Sequence, residues 1–231
     1  MRRRLSHGYS RLTYAGWPEK DRPWLEELPD RLGPRKFRLL LSAWCRDLTV
    51  PWLDKALRRD KRLREHVAAV YLAALDVSDR FADTGRSRTA LKEARKATFF
   101  RSVAGTEGVS SVYDTLLSED SVVGTLDRCA MLATTRDGLP PGELVPLLRR
   151  YLGDLTAAEG VAGRADIGRL GATVLGLARG IYDDRAFDRL PLLGDALQDA
   201  GCEDADVLAH CGSSGPHVRG CWVVDSLLGK G

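Results

Sequence analysis

Apolar residues in this chain recur every three to four positions, and prolines and glycines repeatedly cut the pattern short. That combination permits many short helices and excludes a coiled coil or a collagen-like rod. No convincing period-2 run of β-branched residues occurs, so an extended sheet is not expected. The fold class expected is all-α, an irregular multi-helix bundle of about eight to ten helices at helix lengths near 11–12 residues. With 231 residues and 44% hydrophobic content the chain can bury a real core.

The punctuation divides the chain. Residues 1–33 read as an irregular arm, because Pro18, Pro23 and Pro29 break a long helix, while the tryptophans beside them offer side-chain anchors. Gly33-Pro34 is a turn signal, and Phe37, Leu40, Leu41, Trp44, Cys45 and Leu48 then follow helical spacing. Pro51 restarts the chain into a helix running to about Phe81, with a thin apolar stripe at Asp60 and a stop at Gly85. Another segment covers 88–101, and residues 102–120 are rich in Ser, Thr and Gly. Later helices are expected over 121–134, from Pro141, over Ile167–Tyr182, Asp184–Ala200 and Asp204–Cys211, and from Pro216 to the end. The expected organisation is an arm (1–33), a basic helical subdomain (34–104), a connecting segment (105–140) and an acidic helical subdomain (141–231), with one continuous domain over 34–231 as the alternative.

The net charge of +3 hides an asymmetry: residues 1–101 carry a net +11 and residues 102–231 a net −8. Mutual attraction of the halves is the simplest reading, and a basic surface for an anionic partner is the other. Lys55, Arg58, Arg59 and Arg62 share helical i, i+3, i+4, i+7 spacing, and Arg88, Lys92, Arg95 and Lys96 form a similar group. With Arg2, Arg3 and Arg4 they are candidates for tracking the phosphates of a nucleic acid. Interspersed Asp54, Asp60, Glu65 and Glu93 argue for ordinary solvated faces. Asp184, Asp188, Asp195 and Asp199 likewise read as a solvated face rather than a cation site.

The densest chemistry lies near the C-terminus, where Cys202, His210, Cys211, His217 and Cys221 follow the spacing C-x7-H-C-x5-H-x3-C. Sulfur and imidazole at this density are candidate zinc ligands, although the paired C-x2-4-C knuckles of common structural sites are missing. Adjacent His210 and Cys211 point about 100° apart on a helix, which hinders joint ligation. The competing reading makes the cysteines small buried hydrophobes. A thiol nucleophile, Cys211 or Cys221 with His217 as base, has the residue types but no diagnostic motif. Walker A, G-x-G-x-x-G and H-E-x-x-H signatures are absent, and no catalytic residue is assigned.

Two segments carry a resemblance: Gly33-Pro-Arg-Lys-Phe-Arg-Leu-Leu-Leu-Ser-Ala-Trp-Cys-Arg, and Ile181-Tyr-Asp-Asp-Arg-Ala-Phe-Asp-Arg-Leu-Pro-Leu-Leu-Gly-Asp-Ala-Leu-Gln-Asp-Ala-Gly-Cys continuing at His210-Cys-Gly-Ser-Ser-Gly-Pro-His-Val-Arg-Gly-Cys-Trp. The first is similar to the RKLRLFACACCRR segment, and the second resembles the C-terminal block, of a lineage-expanded family of planctomycete helical proteins. Trp44-Cys45 stands where the family commonly has a double cysteine. The resemblance implies a helical bacterial protein and carries over no catalytic residue.

Five scattered cysteines do not form a disulfide framework, and the basic start has no following apolar run of signal-peptide length. A cytoplasmic protein with reduced thiols and no membrane span is expected. The leading functional expectation is a non-enzymatic protein that works by contact with a protein partner. The alternatives are a nucleic-acid-binding accessory protein and a metal- or thiol-dependent enzyme centred on the C-terminal Cys/His cluster, with zinc as the cofactor.

Overall fold

The computed structural model describes residues 15–100, 112–114, 116–118, 123–135, 140–156 and 171–230. Among these every regular element is helical and no strand occurs, as the periodicity predicts. No helix among them is long and apolar enough to cross a membrane. The chain divides into two compact units, Met1–Pro146 and Leu147–Gly231.

In the first unit, α1 spans Arg22–Ala56 and is broken at Gly33, whose φ of 71° and ψ of 166° are not helical. Pro34 disfavours helical geometry in the residue before it, and glycine accepts the positive φ at no steric cost. The arm expected over 1–33 is therefore helical from Arg22 to the kink. Pro23 sits in its first turn, where the missing N–H costs no hydrogen bond. The anchoring role expected of the arm is visible at Trp17, which is buried and donates from Nε1 to Asp127 Oδ1 at 2.8 Å. Residues 1–14 lie outside the described residues.

The expected break at Pro51 falls elsewhere. The α1 helix continues through Pro51 to Ala56, and α2 spans Lys61–Thr84. Asp60 caps α2, accepting the Leu63 N–H at 2.9 Å. An N-cap carboxylate satisfies otherwise orphaned amides, whereas a proline removes only one donor. The α3 and α4 helices span Arg88–Phe100 and Val123–Thr135. The α1 helix packs on α2 and α4, and α2 packs on α3. Leu40, Trp44, Tyr71 and Leu75 are buried between them, so Trp44 is a core anchor.

The second unit begins inside α5, Pro141–Leu155. It continues with α6 (Ala172–Asp184), a 3-10 turn (Phe187–Arg189), α7 (Leu190–Asp199), α8 (Ala205–Cys211) and α9 (Trp222–Leu228). The α6 helix packs on α7 and α9, and α7 packs on α8. Ile181, Leu193, Leu197, Val207 and Val224 lie at the centre of this core. Residues Ile167–Leu170 of the expected sixth segment fall outside the described residues. The last helix starts at Trp222 rather than at Pro216, and residues 212–221 are irregular, with turns at Gly212 and at Arg219 and Gly220.

The α7 and α8 helices approach closely at Gly194, where an added Cβ would stand 3.0 Å from the Cβ of fully buried Cys211. That atom is fixed to the backbone and cannot swing aside. Gly194→Ala is expected to destabilise the protein by about 1–3 kcal/mol, as overpacked cores do. The change should appear as a lower urea midpoint at unchanged m-value.

Candidate metal centre

Four side chains from four positions of the second unit converge. Asp154 lies in the last turn of α5, His210 in the last turn of α8, His217 in the turns that follow, and Cys221 at the N-cap of α9. One ligand atom from each lies within 4.8 Å of all the others. The Asp154 and Cys221 side chains are buried, and His210 and His217 are largely covered.

The Asp154 carboxylate is the hub. Its Oδ1 lies 2.7 Å from His217 Nδ1 and 3.1 Å from His210 Nε2, and its Oδ2 accepts the Val218 N–H at 2.7 Å. Burial pushes its pKa up, but the hydrogen bonds from His210, His217 and Val218 outweigh it, and the carboxyl is held below its ordinary value. His210 Nε2 also lies 3.3 Å from Cys221 Sγ.

The two imidazoles differ. His217 Nδ1 faces the carboxylate, and its Nε2 lies 3.1 Å from the Ser213 carbonyl oxygen and 3.2 Å from Ser213 Oγ. Carboxylate and carbonyl oxygens only accept, so this partner set fits a doubly protonated ring. The hydrogen bond to Asp154 accordingly raises the His217 pKa against the opposing effect of burial. His210 Nδ1 instead accepts from Trp222 Nε1 at 3.1 Å. Its Nε2 then carries the proton that points at Asp154. The Cys221 thiol is pushed well up by burial and by the Asp154 charge, while the amides of Val223 and Val224 favour the thiolate.

The donor set suits a tetrahedral cation. Four ligands about 2.0–2.3 Å from one ion lie roughly 3.3–3.8 Å from one another. The separations at His210 Nε2, 3.1 Å to Asp154 and 3.3 Å to Cys221, are close to that, and the His217–Asp154 edge of 2.7 Å has to open. Outer contacts needed to orient such ligands are already formed. The Ser213 carbonyl holds His217 Nε2–H, and the Val218 amide holds the far carboxylate oxygen.

Of the five residues singled out by spacing, the structure brings together His210, His217 and Cys221 and leaves out Cys202 and Cys211. Cys211 lies in the core facing Gly194, its thiol raised to about 12 by burial and by Cys202. Cys202 packs half-buried against the same core. The fourth member, Asp154, is distant in sequence. Its signal is a carboxylate three residues after Tyr151 and beside Leu155, on the apolar stripe of α5.

Cys221 and Asp154 approach the same nitrogen of His210, and the other nitrogen is engaged by Trp222. The expected pairing of Cys221 with His217 is not formed: the His217 ring nitrogens face Asp154 and Ser213, and the Cys221 thiol lies against His210 instead. Cys211 with His217 as base fails earlier, because Cys211 is buried in the core away from the cluster.

The basic candidates lie in the first unit. Lys55, Arg58, Arg59 and Arg62 are exposed, but 57–60 is a non-helical turn, so they do not share one helix face as expected. Arg88, Lys92, Arg95 and Lys96 are exposed on α3. There Arg95 pairs with Asp114 at 2.6 Å and Lys96 with Glu93 at 2.9 Å. Asp184, Asp188, Asp195 and Asp199 are exposed, as a solvated face requires. Comparison with protein-family models, with curated proteins and with solved structures gives no match.

The Asp154–His217 pair sets a pH window for chelator-treated protein. The Asp154 share of stability is present above the ordinary carboxyl value of 3.8 and is lost as pH falls through its lowered folded value. The His217 share is present below its ordinary 6.5 and is lost as pH rises through its raised folded value. Thermal melts in chelator should therefore give the highest Tm between those two ordinary values, with decline on both sides. Asp154→Asn should cost about 3–5 kcal/mol within that window, as removal of one partner of a buried pair does, and should flatten the profile.

Proposed function

We propose that the second unit is a zinc-binding helical module in which Asp154, His210, His217 and Cys221 hold one structural zinc ion. The observation that carries this reading is the convergence of one carboxylate, two imidazoles and one thiol within 4.8 Å. Mixed nitrogen, oxygen and sulfur donors in a four-ligand arrangement suit zinc better than calcium or magnesium, which take oxygen shells. Four protein ligands close the coordination sphere, which is the mark of a structural site rather than a catalytic one. The unit also has a use for such a staple. Its α8 and α9 helices have seven residues each, too short to persist without tertiary support. Zinc would tie both, and the turns between them, to the end of α5.

On this reading the protein is a non-enzymatic helical scaffold, and its partner is a protein. Three of the four ligands lie within the C-terminal block whose resemblance to the planctomycete family is quoted above.

Elemental analysis of the purified full-length protein tests the metal. The expected result is about one zinc per chain, as one four-ligand site requires. Zinc should be lost in Cys221→Ser and His217→Ala and kept in Cys202→Ser, and chelation should lower the Tm. Zinc-saturated protein that retains no metal after desalting would overturn the proposal. So would loss of the metal in Cys202→Ser with retention in Cys221→Ser.

A further inference from the structure

We infer that Trp222 gates the proposed zinc site: its indole N–H and a metal ion compete for opposite ends of the His210 ring. The inference rests on the zinc reading above and concerns what must move when the ion enters.

The argument is a count of hydrogen-bond donors. A neutral imidazole carries one N–H and one lone pair. His210 Nε2 is the nitrogen turned toward Asp154 and Cys221, so it is the nitrogen that would bind the ion. Binding needs the lone pair there, and the proton must then leave Nε2 and be taken up at Nδ1, so that the ring stays neutral. But Nδ1 lies 3.1 Å from Trp222 Nε1, and an indole nitrogen only donates. Two N–H groups would then face each other at hydrogen-bond distance with no acceptor between them.

Two of the other ligands keep their outer contacts. His217 keeps its Nε2–H on the Ser213 carbonyl when Nδ1 turns to an ion, and Asp154 keeps the Val218 amide on its far oxygen. The His217–Asp154 bond opens inside the site, and of the contacts outside it the Trp222–His210 bond is the one that must be given up. Trp222 is nearly fully buried and belongs to the core of the unit, with its ring centroid 5.1 Å from that of His210. It is also the first residue of α9, directly after Cys221. Breaking the Trp222–His210 bond therefore shifts the residue on which α9 is seated. The indole N–H holds the metal-free arrangement, and zinc releases it.

Trp222→Phe keeps an aromatic ring in the core and deletes only the competing donor. Its zinc affinity, measured by competition with a chromogenic chelator, should exceed that of the wild type by roughly ten- to hundredfold, the scale set by one buried N–H left without a partner. A second readout does not depend on that variant folding. In 15N-labelled wild type, zinc should move the Trp222 indole proton upfield as its hydrogen bond is lost. The His210 ring nitrogens should exchange their protonated and unprotonated shift positions. If wild type binds zinc, equal affinity in Trp222→Phe, or an indole proton and His210 tautomer unmoved by zinc, overturns the gate and leaves the zinc site standing. If wild type binds no zinc, the site and the gate fall together.

Discussion

A single buried carboxylate organises the second unit. Asp154 sits at the end of α5 with almost no solvent, and a bare charge there would be prohibitively costly. It is stabilised because three N–H groups, from His210, His217 and Val218, close on its two oxygens. His210 closes the last turn of α8, and His217 and Val218 lie in the irregular turns that lead from α8 to α9. Those turns have no regular structure of their own, and the carboxylate fixes their path. The same contacts place Cys221 Sγ beside His210 Nε2. Charge satisfaction, not helix propensity, makes the centre.

The apolar core does the complementary part. His210 and Cys211 are neighbours on α8 and point about 100° apart. Cys211 is buried against Gly194 of α7, which has no side chain to block it. With Cys211 committed to that contact, His210, about 100° round the helix, is turned toward Asp154. The adjacency that hinders joint ligation from sequence alone is thus the arrangement that aims one residue inward and the other at the centre. Cys221, as the cap of α9, is oriented by the burial of Val223, Val224 and Leu227 behind it.

The helical class was legible because it rests on local spacing, which residues such as Leu40, Trp44, Tyr71 and Leu75 carry openly. Boundaries were legible where chemistry is local and strong, as at Gly33-Pro34 and Gly85. They were misplaced where two signals compete: Pro51 looked like a break, and Asp60, the actual cap, looked like a gap in a stripe. Pro216 looked like a helix start, yet His217 and Val218 are drawn out of helical geometry onto Asp154. Three of the four candidate ligands were visible as a Cys/His cluster. Asp154 was not, because its partnership spans 56 to 64 residues and no spacing rule reaches that far. Its one local sign is a carboxylate on an apolar stripe.

The central claim is that one sulfur, two imidazoles and one carboxylate meet at one ion. X-ray absorption at the zinc edge of the loaded, full-length protein measures that ligand set directly. The account predicts a four-coordinate shell with one sulfur at about 2.3 Å and three nitrogen or oxygen neighbours at about 2.0–2.2 Å. Two or more sulfurs in the shell, which would draw on Cys202 or Cys211, or a sulfur-free shell of oxygens, would contradict it.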